Sequence, residues 1–490
     1  MNHPNLPPKV ILARYTGQVD PTEKGNPLTL ALPPIKDDNG WLRQMLRVPA
    51  FDESLVSEPA YQRAYYVSGL KDAFIPCERH IDYARRLDIL LRAGYRRRNP
   101  MTGAYAEELQ RRFEQVQRSG KAEKLVFSEP QPISSYSLLG VSGMGKSTTT
   151  ENILSAYPQG VFHEELNLLQ VVWLKVECPK DGSVKELARN ILRAFDQVLQ
   201  TSHLSRVSDK SSLDAISALV YQLAVSHCLG LLVIDELQNV SIKKSGGREA
   251  MLNWFQELVN EVRLPVLLLG TFKAKDILEH DVRHSRRSTQ AGSAAWSPMD
   301  LDAEFQTLVK SVWKFQWLKE PTPLTEELLQ TVYEETQGIY AFVVDMFLVA
   351  QLRAIRQKDE AITPELFKRV ARTEFRPVQP FLNALRSKDP NRLRRFEDAM
   401  DYDVGQFIQQ ELALISQGLG PMETQSQALS VLAQASANVR SVTGVDESEA
   451  RALVERVIGG DCQTVRAATR AALEAYANSL RDAAKPGTAS

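Results

Sequence analysis

Cysteine is scarce: 490 residues carry four, Cys77, Cys178, Cys228 and Cys462. They stand too far apart to read as a disulfide framework or a metal-ligand cluster, so a reducing compartment, the cytoplasm, is expected. Long apolar runs are missing as well. None approaches the roughly 20 residues that span a bilayer, and the opening Met-Asn-His-Pro-Asn-Leu-Pro-Pro-Lys lacks the apolar core of a signal peptide. No membrane partner is therefore expected. Nor is there an excess of either charge. The net charge is −1, so any contact with nucleic acid must come from a local patch. Internal repeats are absent too. What remains, 43% hydrophobic and 24% charged residues, is the composition of a globular protein, long enough for two to four domains of roughly 100–200 residues.

The chain is organised around Gly140-Val141-Ser142-Gly143-Met144-Gly145-Lys146-Ser147, which fits the phosphate-binding pattern G-x-x-x-x-G-K-[ST]. An apolar run, Tyr136–Leu139, leads in as a strand, and Thr148 to Tyr157 reads as a helix. Glycines at 140, 143 and 145 let successive N–H groups face one anion, and the helix start adds unpaired N–H groups and a positive dipole end. Lys146 would neutralise the β- and γ-phosphates of ATP, while the Ser147 hydroxyl would ligate Mg²⁺. A second stretch, Leu231-Leu-Val-Ile-Asp-Glu236, is an apolar strand ending in two carboxylates. Such strands belong in parallel sheets, whose ligands bind at the carboxyl ends. Asp235 would hold the Mg²⁺ shell and Glu236 would polarise the attacking water. Together the two motifs predict an ATP-binding domain.

Along the chain, residues 1–60 are rich in proline and polar residues and read as an extended arm that orders only against a partner. Ile81–Leu91 has helical spacing, and the basic run Arg96, Arg97, Arg98 follows beside Tyr95. It is either a solvated helix end or a phosphate contact. Glu107–Gln117 reads as an amphipathic helix. Gln170–Val176 is read as a strand, Val184–Leu199, Leu213–Ala224 and Glu249–Val262 as helices, and Val266–Leu269 as another buried strand. Ser245–Gly247 is read as a flexible loop, and Val312–Leu318 as the last strand. Strands alternating with helices predict a parallel sheet covered on both faces. Past Pro321, Glu326–Glu335, Ala341–Arg356 and Pro364–Thr373 read as a helical lid, and residues 386–490 as helical and charged.

Further polar groups fall near the phosphate. Thr271, at a strand end, would orient the attacking water or simply cap a turn. Arg283, Arg286 and Arg287 cluster one helix later. They would either form a basic surface loop or reach across a subunit boundary to stabilise γ-phosphate charge, a contribution of ~10³–10⁵ in rate for such a finger. Arg286 and Arg287 are the better placed. For DNA, Lys180 and Lys185, at the turn after the Gln170–Val176 strand, join Arg96–Arg98 as candidate phosphate contacts.

These residues resemble the TnsC-type AAA+ regulators of Tn-seven-like transposons, relatives of the TniB ATPases. The resemblance rests on Gly94-Tyr-Arg-Arg-Arg-Asn-Pro-Met-Thr-Gly103, the loop Gly140–Ser147, His163–Lys175, Leu229–Gln238, Ser245–Gly247, Leu269–Thr271, Arg283–Arg287 and Ala350–Ala354, in this order over roughly residues 60–385. It implies an α/β fold: a P-loop AAA+ core with a parallel sheet and helices on both faces, a helical lid, and helical N- and C-terminal extensions. The implied parts are an N-terminal arm and partner or DNA-contact region (1–104), a nucleotide-binding base (105–320), a lid (321–385) and a partner-binding C-terminal region (386–490). In the base, Gly140 to Thr148 and Asp235 would hold ATP, with Mg²⁺ on Ser147 and Asp235. The implied activity is Mg²⁺-dependent ATP hydrolysis by a ring or filament of identical subunits on double-stranded DNA. It would connect a TnsD/TniQ-type target selector to TnsA/TnsB-type transposase subunits. The γ-phosphate-sensing lid arginine usual in AAA+ proteins has no counterpart after Gln337-Gly338, where the sequence reads Ile339-Tyr340-Ala341. Two other classes fit the motifs: a signalling ATPase that switches protein partners without DNA, and a nucleotide-locked scaffold that barely hydrolyses.

Overall fold

Short apolar strands dictate the centre of the molecule. In the computed structural model they form a sheet of five parallel strands, in the order β5 (Trp173–Glu177), β6 (Leu231–Asp235), β7 (Val266–Gly270), β2 (Tyr136–Gly140) and β8 (Ser293–Trp296). The structure describes residues 6–16, 25–96, 98–103, 135–240, 248–275, 293–357, 360–387, 402–417 and 424–455, with isolated short pieces beyond these. Alternate residues of the central strands point to opposite sides. Leu231, Val233, Leu267 and Leu269 enter one apolar core, and Leu232, Ile234, Val266 and Leu268 enter the other. Burial on both faces explains why these strands read as continuous apolar runs rather than alternating ones.

Three helices cover the second core: α5 (Val184–Leu199), α6 (Leu213–Ser226) and α7 (Arg248–Glu261). The sharp start of α5 comes from Ser183, whose hydroxyl accepts the Glu186 N–H. Over the first core lie α4 (Lys146–Leu154), which follows the phosphate loop, and a large part of the chain before it: α1 (Asp38–Met45), α2 (Ala60–Ser68) and α3 (Glu78–Tyr95). The expectation of an arm ordered only by a partner is therefore corrected for the described part of residues 1–60. Leu28, Trp41 and Met45 are buried in the same core as the sheet. Further upstream, β1 (Val10–Leu12) pairs in parallel with β3 (Gly160–His163), which pairs antiparallel with β4 (Leu168–Val171). Proline and polar content hid a few large anchors that suffice to fix the segment.

Two strand assignments change. The run Gln170–Val176 is divided at Val172 between β4 of the small sheet and β5 of the large one. Val312–Leu318 is not a strand. It holds the end of α8 (Ala303–Trp313) and the turn after it, and among the described residues the last strand is β8, four residues of mostly small side chains that carry no strand signal. Asp302 starts α8 by accepting the Phe305 N–H, and Phe305, Leu308, Val309 and Val312 give it one apolar face.

After α8 come four further helices, α9 (Glu326–Thr336), α10 (Tyr340–Arg356), α11 (Pro364–Thr373) and α12 (Gln379–Arg386). Thr363 caps α11, with Pro364 in its first turn. Arg63 of α2 is tied to this part by a two-pronged ion pair with Glu360, at 2.7 and 2.8 Å. From the C-terminal region, α13 (Val404–Ser416) packs against α10 and α2, while α14 (Thr424–Thr443) and α15 (Glu447–Glu455) pack on each other. No single helix among the described residues is long and apolar enough to cross a membrane; α9 and α10 reach that length only together and meet at 120°.

Candidate active site

The loop after β2 is shaped by its glycines. At Gly140 a Cβ would lie 2.5 Å from the Trp296 carbonyl oxygen, so only glycine lets β2 run this close to β8. Gly143 and Gly145 take φ of +80° and +78°, the left-handed region that other residues resist. Helix α4 starts straight out of this turn. Its first turn is fastened by Thr149, whose hydroxyl donates to the Gly145 carbonyl, and Thr150, whose hydroxyl donates to that of Lys146. The Lys146 ammonium lies across the loop and donates to the carbonyls of Gly140 and Val141 at 2.8 and 2.9 Å.

At the end of β6, Asp235 is 4% exposed. One carboxylate oxygen accepts the Glu236 N–H at 2.9 Å and the other lies 3.2 Å from the Lys175 ammonium. Lys175 also donates to Glu151 at 2.5 Å. Burial works against the Lys175 charge, but bonds to Glu151 and Asp235 outweigh it and hold its pKa above the ordinary value. Glu236 has φ of +58°, a strained conformation for a side-chain-bearing residue. The residue is exposed and lies at the cavity. Partial burial, and then the neighbouring Asp235 charge, push its pKa up.

Gln238 links the end of β6 to the end of β7. Its amide nitrogen donates to the Glu236 carboxylate, and its amide oxygen accepts the Thr271 N–H at 3.0 Å. Thr271 is 5% exposed, and its hydroxyl is buried without a hydrogen-bond partner. Such a hydroxyl is an unspent donor on the cavity wall. The motifs gave Gln238 no role. Its place in the single turn Leu237–Asn239, directly after Glu236, is the signal that could have found it.

Gly143, Gly145, Lys146, Asp235, Glu236, Gln238 and Thr271 line one cavity of about 560 Å³. One end is formed by Gly143, Gly145, Lys146, Ser147, Asp235, Glu236 and Thr271; the remaining wall comes from distant parts of the chain, namely Phe74, Tyr340, Val344, Asp345, Tyr402 and Val404. The start of α10 touches the loop directly, since the Ala341 N–H donates to the Gly143 carbonyl at 3.0 Å. Tyr340 accepts the Ile75 N–H at 2.6 Å, and its ring lies 5.5 Å from that of Phe74. Among the described residues, those that α10 contributes to this wall include no arginine.

The other expected residues fall elsewhere. Arg283, Arg286, Arg287, Arg97, the loop Ser245–Gly247 and most of Glu107–Gln117 lie outside the described residues. Arg98 does not belong to a DNA-facing surface. It is 4% exposed, donates to the carbonyls of Gly94 and Leu229, and sits 5.0 Å from the Tyr95 ring centre. Its work is to tie the end of α3 to the base of β6. Arg96 is exposed at the end of α3. Lys180 is exposed, whereas Lys185 is half-buried and donates to the Asp209 carbonyl at 2.6 Å.

Residues 134–278 match the family model of an AAA domain. That span holds the phosphate loop, Asp235, Glu236 and Thr271, and gives the chain a P-loop ATPase module in the general sense. With its strand order and flanking helices, the architecture is that of an AAA+ domain with helical additions before and after it. No curated protein matches the chain. Among solved structures, it is similar to the Walker-type ATPase of Pyrococcus abyssi, at 16% identity and a TM-score of 0.36 over 64% of this chain and 89% of that one. It is also similar to the Orc1 protein of Aeropyrum pernix, solved in complex with DNA, at 15% identity and a TM-score of 0.36 over 67% and 87%. A third is Cdc6p of Pyrobaculum aerophilum, at 15% identity and a TM-score of 0.35 over 74% and 100%.

Proposed function

We propose that this chain is an ATP-hydrolysing regulator of transposition that oligomerises on double-stranded DNA and links a TnsD/TniQ-type target selector to TnsA/TnsB-type transposase subunits. The observation that carries the nucleotide part is the convergence of phosphate loop, Asp235, Glu236 and Thr271 on one cavity. The transposition part is supported by the ordered resemblance between Gly94 and Ala354. In this reading Gly140 to Thr148 wrap the phosphates and Lys146 neutralises the β- and γ-phosphates. Glu236 takes the proton of the attacking water, with Gln238 and Thr271 fixing its position, and Arg286 or Arg287 completes the site of a neighbouring subunit. The donors at the loop end of the cavity are a hydroxyl and a carboxylate, hard oxygen ligands suited to Mg²⁺. Ser147 would hold the ion directly and Asp235 through water, and Mg²⁺ would supply charge neutralisation along the phosphates. The working parts are the four spans 1–104, 105–320, 321–385 and 386–490, acting in the cytoplasm.

Glu236→Gln should keep ATP binding but slow turnover roughly 10²–10⁴-fold, the usual contribution of a general base. Lys146→Ala should lose ATP binding itself. Measured with and without duplex DNA, wild-type turnover should rise on DNA. Turnover indifferent to DNA favours the second reading, a signalling ATPase, for which burial of Arg98 and the engagement of Lys185 already speak.

A further inference from the structure

The cavity has two ends of different chemistry. Phosphates belong at the loop, so a bound nucleotide must place its nucleoside along the remaining wall. That wall is apolar and partly aromatic: Phe74 from the N-terminal region, Tyr340 and Val344 from α10, and Val404 from the start of α13. It suits the flat face of a base. Among these residues stands one carboxylate, Asp345, one helical turn beyond the Ala341 that bonds the phosphate loop. The Tyr402 hydroxyl donates to Asp345 Oδ2 at 2.7 Å. Lys71 is the other charged side chain lining the cavity at this end besides Asp403, and its charge acts on Asp345.

Tyr402 and Val404 lie more than 120 residues beyond the AAA-domain match, yet Val404, Ile408 and Ile415 are buried in the same core as α10. The start of α13 is thus fixed where it closes the cavity. A carboxylate held by one donor keeps lone pairs for another. The parts of a nucleoside that offer donors are the ribose hydroxyls and, in adenine, the exocyclic amine.

We propose that the segment starting at Tyr402 completes the nucleoside end of this pocket, and that Asp345, oriented by Tyr402, accepts a hydrogen bond from the bound nucleoside. The C-terminal region then takes part in choosing the nucleotide and in retaining it. This rests on the nucleotide reading above and adds to it residues that no phosphate motif contains.

Dissociation constants of the full chain for ATP, inosine triphosphate and 2′-deoxy- and 3′-deoxy-ATP test the proposal. Inosine lacks the amine donor and the deoxy analogues each lack one ribose hydroxyl. In the wild type at least one analogue binds more weakly than ATP, and Asp345→Asn shrinks that ratio about tenfold, the scale of one hydrogen bond to a charged group. An inosine ratio that moves assigns the amine, and a deoxy ratio that moves assigns the ribose. Tyr402→Phe should shift the same ratio in the same direction, which a variant acting only through fold stability would not do. Unchanged ratios in both variants, with ATP still bound, overturn the proposal. If Lys146→Ala binds ATP as well as the wild type, the nucleotide reading itself fails, and that outcome is separate.

Discussion

Burial lifts the carboxyl of Asp345 from 3.8 to about 6, against the opposing pull of the Tyr402 hydrogen bond and the Lys71 charge. The folded chain therefore holds this proton more tightly than the unfolded chain does. Between these two values the native state binds more protons, so stability present at low pH is lost as pH rises through about 6. Asp345→Asn removes the charge that must be buried above that point. The variant should be more stable than the wild type at pH 7–8 by about 1–3 kcal/mol, with the difference vanishing below about pH 4. Urea unfolding across this range checks it, and a difference independent of pH would contradict it. The same residue marks the limit of what the sequence reveals. Lys146, Asp235 and Glu236 were legible because the phosphate loop and the acidic strand end keep their residues adjacent in sequence. Gln238, Asp345 and Tyr402 were not, because their partners are set by packing between distant segments. Arg98 was misread for the same reason, since a buried guanidinium bonding two carbonyls looks in sequence like any basic run.

At the level of elements, apolar continuity found β2, β6 and β7, and period and capping found α5 and α11 almost to the residue. Strand β8 escaped because Ser293-Ala-Ala-Trp296 owes its extended form to pairing with β2 rather than to its own side chains. The ties between elements were equally hidden. Arg63 donates to Glu360, to the Trp317 carbonyl and to the Glu58 carbonyl, and is 1% exposed. Glu360, despite burial, is held below its ordinary pKa by the Arg63 hydrogen bond and charge. Without Arg63, the Glu360 carboxylate keeps only Lys319, through its N–H at 3.1 Å and its exposed ammonium at 3.6 Å. Arg63→Ala should therefore cost about 3–5 kcal/mol, read as a lower urea midpoint. Replacing both residues with apolar ones of similar size should cost less. Equal losses in the two variants would show that packing, not charge, dominates at this joint.

Over the whole molecule, one cavity receives side chains from the segment before α3, the ends of β6 and β7, α10 and the start of α13, so a nucleotide bound there would bias all of them at once. On the proposed reading, an oligomer built on such a site would assemble when the nucleotide fills it and loosen when the phosphate leaves. With a net charge of −1, each subunit of the proposed assembly would add only a few phosphate contacts to DNA, and binding should weaken steeply with salt, by about 0.9 in log K per log salt for each phosphate neutralised. Sedimentation of the full chain with duplex DNA, in ATP and Mg²⁺ or in ADP and Mg²⁺, tests this most directly, with Lys146→Ala alongside. A fast-sedimenting, salt-sensitive DNA-bound species is expected in ATP, absent in ADP and absent for Lys146→Ala in either nucleotide. The same sedimentation in both nucleotides, or a Lys146→Ala variant that assembles like the wild type, would contradict it.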